Sequence, residues 1–263
     1  MKQPLFVIKI GGNVIDDEAK LASFLHDFAS IQHPCILVHG GGKIATRIGD
    51  QMGVTSNYVD GRRITDDDTI DIVTMVYGGL VNKKIVAQLQ ALGCNAIGLT
   101  GADANMMPAT KRPVKTIDYG WVGDVTPQQI AATTLQGLLQ LGLQPVFAPL
   151  THDSAGHILN TNADTIASSL AIALSEYYTV RLLYCFEKKG VLGNVDDDNS
   201  VIASITQHNY QQLKDEGKLF AGILPKIDNA FAAIQAGVHE VLIGHADDLL
   251  QNTTEKTSGT LIK

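Results

Sequence analysis

Two short apolar runs that break off into glycine clusters constrain this chain more than any other feature. Leu5 to Ile10 runs into Gly11-Gly12, and Cys35-Ile36-Leu37-Val38 runs into His39-Gly40-Gly41-Gly42. Unbroken apolar runs of this length read as strands buried on both faces, as in a parallel sheet. Between them Leu21, Phe24, Leu25, Phe28 and Ile31 recur at three- and four-residue spacing after Asp16, Asp17 and Glu18, the pattern of an amphipathic helix with an acidic first turn. Strand, helix, strand is a βαβ unit, which predicts an α/β fold with a mainly parallel sheet.

The alternation continues. Thr65 as N-cap, followed by Asp66, Asp67 and Asp68, predicts a long helix through Ile70, Val73, Met75, Leu80, Ile85 and Leu89. Further strands are predicted at Ala96–Leu99, Val146–Ala148, Val180–Phe186 and Val241–Ile243. Helices are predicted at Pro127–Leu141, Ala163–Ala173, Gln207–Glu216 and Ile223–Ala236. From Thr100 to Val125 periodicity is lost and Gly, Pro and charges alternate, which predicts surface hairpins. With 263 residues and no low-complexity linker, the chain reads as one continuous unit with two lobes, 1–175 and 176–263.

Charge narrows the function. Lys and Arg number 20 against 27 Asp and Glu, a net charge of −7, which argues against a nucleic-acid footprint and requires that an anionic substrate meet a few placed cations. Cys35, Cys94 and Cys185 are widely spaced within apolar stretches, as expected of reduced, buried thiols, and no zinc-ligand spacing occurs. The first residues lack the regions of a signal peptide. The longest stretch free of Asp, Glu, Lys and Arg, Val125 to His152, is interrupted by five Gln and three Pro, so no membrane span is predicted and the expected location is the cytoplasm.

Open α/β sheets bind ligands beyond the carboxyl ends of their strands, which is where both glycine clusters fall. Glycines there either serve tight turns or expose N–H groups to an anion, and two clusters on neighbouring strands favour the anion. Gly40-Gly41-Gly42-Lys43-Ile44-Ala45 also fits a dinucleotide fingerprint with Asp60 twenty residues from Gly40, but Asp60 lies in the polar segment Val59–Arg63 and not at an apolar strand end. Lys9, near the end of its apolar run, is either a snorkelling edge-strand lysine or a cation aimed at phosphate, since burial without a partner is costly. Lys226, in the first turns of an apolar helix, raises the same question.

In order along the chain stand Lys9-x-Gly11-Gly12, His39-Gly40-Gly41-Gly42, Gly61-x-Arg63-x-Thr65, Asn82-Lys83, Gly98-Leu99-x-Gly101, Gly120-x-Val122-Gly123, Asn160-x-Asn162-Ala163-Asp164, Gly222-x-x-x-Lys226 and Gly259-Thr260. Together these resemble the acetylglutamate kinases of the amino-acid kinase family over nearly the whole chain. The Gly-x-Arg-x-Thr and Asn-x-Asn-Ala-Asp motifs favour them over aspartate, glutamate, carbamate and uridylate kinases. The resemblance implies a three-layer α/β/α sandwich, with acylglutamate binding and dimerisation in residues 1–175 and ATP binding in 176–263. It implies transfer of a phosphoryl group from ATP to the side-chain carboxylate of an N-acylated glutamate, in arginine biosynthesis. Lys9 would stabilise the transferring phosphoryl group, Lys226 the leaving β-phosphate side, and Asp164 would hold both ammonium groups. Gly12 and Gly41 would cradle phosphate through their N–H groups, while Gly41, Gly42, Arg63 and Asn160 would bind the acylglutamate. Magnesium is expected only as the nucleotide's counterion, with no protein ligand set, and a homodimer insensitive to arginine is expected. Spacing alone also allows Arg63 to be a solvated charge and Asn160 a turn former.

Two segments depart from the family's pattern. Cys185 stands where an Asp is expected, about two extra residues precede Gly190, and Asp103-Ala104 replaces Asp-Gly. Acetyl is the expected acyl group. A succinyl group would need a longer pocket with an extra cation, for which Arg62, Lys111, Arg112 and Lys115 are candidates. The other alternative is a non-catalytic nucleotide- or amino-acid-binding regulator of the same fold.

Overall fold

The structure, a computed structural model, describes residues 2–59, 61–194, 196–219 and 222–263; Asp60 of the dinucleotide reading lies outside them. The main sheet has eight strands: β1 (Pro4–Ile10), β2 (Cys35–Val38), β3 (Ala96–Leu99), β4 (Gln144–Phe147), β5 (Thr179–Phe186), β6 (Ser204–Ile205), β7 (Glu240–His245) and β8 (Thr260–Ile262). Their spatial order is β6-β8-β7-β5-β1-β2-β4-β3, and every neighbouring pair is parallel except β7–β8. The chain leaves β1 for β2 on one side and returns to it with β5 on the other. The carboxyl ends of β1 and β5 therefore flank a topological switch point, where such sheets place their ligands.

Alternation along β1 sorts the two apolar layers. Leu5 and Val7 pack with Leu182 of β5 and with helices α6 (Ala163–Leu174) and α8 (Leu224–Gln235). Phe6, Ile8 and Ile10 pack on the opposite face with α1 (Glu18–Ala29) and the helical run from α3 (Asp67–Val73) to α4 (Asn82–Ala91). Two helical layers thus sandwich the sheet, as the family resemblance implies. Lys9 shares the parity of Leu5 and Val7, and so faces α6.

Several local expectations are corrected. Asp66, not Thr65, caps α3, its side chain accepting from Thr69 N at 2.9 Å; Thr65 is buried and bridges to Gly120. Between α3 and α4 the backbone is π-helical over Thr74–Val81, and the added residue per turn shifts the apolar register. Met75 and Leu80 therefore project outward, about half exposed, instead of joining the core. The Pro127–Leu141 helix splits into a 3-10 turn at Pro127–Gln129, closed by a Thr126/Gln129 capping box, and α5 at Ala132–Gln140. Residues 100–125 do contain a hairpin, Thr110–Lys111 with Gly123–Asp124, but Met106 and Met107 inside this segment are buried. Cys94 is only partly buried, unlike Cys35 and Cys185, and all three thiols are free. The hairpins Tyr58–Val59/Arg62–Arg63 and Leu150–His152/Ile158–Asn160, the edge strand β6 and its neighbour β8 went unread, being two or three residues long.

Candidate active site

Lys9 is the penultimate residue of β1 and is nearly buried. Its Nζ stands 2.8 Å from Asp164 Oδ1, in the first turn of α6. Asn162 caps that helix, its side chain accepting from Thr165 N at 3.0 Å. Asp164 thus sits at a helix N-terminus and beside an ammonium group.

Lys226 lies in the first turn of α8, behind Pro225. A cation there opposes the helix dipole, so stability alone does not explain it. Burial lowers its pKa, the nearby Asp164 charge acts to raise it, and Lys9 lowers it again. Two cations therefore converge on one carboxylate, a charge surplus suited to an anionic ligand.

Glycines frame this pair from the other side. Gly11-Gly12 opens a short helical turn, Gly12–Ile15, and Gly41 precedes α2 (Gly42–Gln51). The two loops abut: a Cβ on Gly40 would lie 3.8 Å from Gly12 N. Lys43 ties them together, with its ammonium 3.6 Å from Asp16 and hydrogen-bonded to Asn13. Gly41 has φ +148°, and a Cβ there would meet the Tyr77 ring at 3.0 Å. Behind the loop His39 is fully buried, which pushes its imidazole down to about 4 and leaves it neutral at pH 7. Nδ1–H then donates to Gly40 O at 2.6 Å, and Nε2 accepts from Asn82 Nδ2 at 3.2 Å.

Two cavities meet here. The smaller, about 370 Å³, is bounded by Gly11–Val14, Cys185–Lys188, Gly190, Leu192, Ile223, Ile243 and Lys226. The larger, about 860 Å³, is bounded by Gly40–Gly42, Arg63, Tyr77, Asn160, Asp164 and again Lys226, among others. The structure thus brings Gly12, Gly41, Gly42, Arg63, Asn160, Asp164 and Lys226 to cavity walls, with Lys9 paired to one of them.

Arg63 is buried and clamped, so it is not a solvated charge. Nη2 donates to Gly42 O at 2.8 Å and Thr46 Oγ1 at 3.0 Å, Nη1 donates to Ser56 Oγ, and the guanidinium lies 4.8 Å from the Tyr58 ring centroid. Asn160 Nδ2 donates to Thr65 Oγ1 at 3.0 Å, joining the second hairpin to the start of the 67–91 helical run. Of the extra cations, Arg62 and Arg112 line the larger cavity, Arg112 forked onto Asp124; Lys111 covers the Trp121 ring, and Lys115 is exposed. Tyr77, Tyr58, His39 and Phe186 were missed as site residues. Only His39 carried a sequence signal, a polar residue at the end of a buried strand. Cys185 is a buried thiol pushed up to about 12, and so stays protonated in the cavity wall.

An α/β/α sandwich with two lysines at its switch point fits a protein that acts on small anionic ligands. The amino acid kinase family model matches residues 4–245. The acetylglutamate kinase of Cytophaga hutchinsonii is 55% identical over 260 residues, 98% of each chain, and that of Bacteroides thetaiotaomicron is 53% identical over the full length of both. The N-acetylglutamate synthase of Neisseria gonorrhoeae, complexed with coenzyme A and N-acetyl-glutamate, shares the fold with a TM-score of 0.80 at 23% identity, over 98% of this chain and 59% of the synthase. The chain belongs to the amino acid kinase family, and within it to the acetylglutamate kinases. It is a kinase.

Proposed function

We propose that the chain transfers the γ-phosphoryl group of ATP to the side-chain carboxylate of N-acetyl-L-glutamate, a step of arginine biosynthesis. One carboxylate oxygen attacks the γ-phosphorus, the bond to the β–γ bridging oxygen breaks with its electron pair staying on ADP, and the product is N-acetyl-L-glutamyl 5-phosphate. The nucleophile is already ionised at neutral pH, so no general base is required. The observation that carries this reading is that Lys226 walls both cavities beside the Lys9–Asp164 pair. A phosphoryl group passing between them would meet both ammonium groups where charge develops.

In this reading Lys9 stabilises the transferring group, Lys226 the β-phosphate side, and Asp164 orients them. Gly12 and Gly41 present N–H groups to phosphate. Arg63 meets the α-carboxylate, with Asn160, Gly41 and Gly42 completing the acylglutamate site. The lobe 1–175 holds the acylglutamate and lobe 176–263 most of the nucleotide contacts. Among the described residues no cluster of three or more His, Cys, Asp or Glu is arranged to hold a metal, and Asp164 is paired to Lys9. We assign magnesium to the nucleotide's phosphates, where it would neutralise phosphate charge. No helix among the described residues is long and apolar enough to cross a membrane. The location proposed is the cytoplasm. A homodimer would cover Met75 and Leu80 on the π-helical segment.

A second reading has a specific observation behind it. Arg62 and Arg112 both line the larger cavity, so a longer acyl group ending in a carboxylate, such as succinyl, would find a cation there. Trapping the acyl phosphate as a hydroxamate, with N-acetyl- and N-succinyl-L-glutamate compared side by side, decides between the two. ATP-dependent hydroxamate from neither would refute the function.

A further inference from the structure

Phe186 lies where this chain departs from its family's pattern, and it faces both lysines. It is the last residue of β5, and with Tyr184 it projects from one face of that strand, the rings stacked at 6.3 Å and 19°. Lys9 is in register with Tyr184 on the neighbouring strand. From there Lys9 Nζ reaches to 5.4 Å from the Phe186 centroid, while Lys226 Nζ, from α8, lies 3.7 Å from it. The same ring forms part of the wall of the smaller cavity.

Two ammonium groups share one carboxylate here, and only Lys9 is within ion-pair distance of it among the described residues. The negative face of an aromatic ring attracts a cation without carrying net charge. A carboxylate in the ring's place would repel an arriving triphosphate, whereas an aliphatic side chain would leave Asp164 alone to offset the repulsion between the two ammonium groups. Resting on the phosphoryl-transfer reading above, we propose that Phe186 is a positioning residue that holds the Lys226 and Lys9 ammonium groups on its π face, aimed at the transferring phosphoryl group. The site is then preorganised without a second carboxylate, beyond Asp164, for the substrate to displace.

Phe186→Leu keeps apolar volume and removes the π face, whereas Phe186→Tyr keeps the face. In Phe186→Leu, kcat should fall about ten-fold, with the KM for the acylglutamate within about two-fold of the unmodified enzyme. The alkaline limb of the kcat–pH profile should move to lower pH, because the ring favours protonated lysine. Phe186→Tyr should restore both to within about three-fold. A readout independent of turnover is the Lys226 side-chain resonance in the 13C-lysine spectrum, assigned by its loss in Lys226→Arg. It should be ring-shifted upfield in the unmodified protein and in Phe186→Tyr, and move downfield in Phe186→Leu. Unchanged kcat and pH limb in Phe186→Leu, or a Tyr variant as impaired as the Leu variant, would overturn the proposal and leave the phosphoryl-transfer reading standing. An unmodified enzyme that makes no acyl phosphate would refute that reading, while the lysine resonance would still decide whether the ring holds Lys226.

Discussion

Lys9 Nζ stands 2.8 Å from Asp164 Oδ1, joining the end of the central strand to the first turn of α6 across the layer boundary. Lys9 is not placed for stability: it is buried one residue before the end of an apolar strand, and its only ion-pair partner among the described residues is a carboxylate that also faces Lys226. Asp164→Asn preserves shape and removes the charge that balances two cations. We expect kcat to fall by about 10² to 10³, comparable to losing one preorganised electrostatic contact, with a smaller change in the KM values. Steady-state kinetics on protein whose melting curve remains cooperative checks this.

Arg63 should govern affinity more than turnover. Its guanidinium is fixed at Gly42 O, Thr46 and Ser56, and lysine cannot reproduce that planar set. Arg63→Lys should raise the KM for the acylglutamate roughly 10- to 100-fold, one to two charge-assisted hydrogen bonds, and leave kcat within a few-fold. A loss confined to kcat would place Arg63 outside the acylglutamate site.

Gly41 has φ +148° and faces the Tyr77 ring. Gly41→Ala should lose about 1–3 kcal/mol of stability, through backbone strain with the ring contact added, and should raise the KM for the acylglutamate. Gly53→Ala is the control: φ is +81° but nothing lies within 4 Å of the new Cβ, so it should lose stability without a change in KM. Chemical denaturation and kinetics on the two variants separate strain from site geometry.

Buried His39 makes stability pH-dependent. Its imidazole is held down to about 4, against 6.5 when exposed, so between those values the unfolded chain binds the extra proton. Stability from this group is complete above pH 6.5 and declines as pH falls towards 4, by up to about 3 kcal/mol. Urea melts from pH 7.5 to 4.5 should show that decline, and His39→Asn should flatten it.

The βαβ opening was legible because buried parallel strands are continuous apolar runs: β2 and β3 match their sequence ranges, and β1 and β5 each begin one residue earlier. Site glycines and lysines were legible for a related reason, since each breaks a local rule of burial or propensity that packing alone would keep. What stayed hidden depends on tertiary placement. A π-helical stretch has no periodic signature of its own, so nothing in the sequence singles out Tyr77, which it sets beneath Gly41. Arg63 could equally have been a solvated charge until the hairpin folded it onto Gly42. Phe186 looked like the end of a buried strand, because nothing in sequence sets a ring between lysines that lie 177 and 40 residues away.

The most direct test is 31P NMR of the protein incubated with magnesium, ATP and N-acetyl-L-glutamate. An acyl-phosphate resonance should grow in step with ADP, and neither should appear when Lys9→Ala replaces the unmodified protein. ATP left intact, or split to ADP and inorganic phosphate with no acyl-phosphate resonance even at early times, would contradict the account.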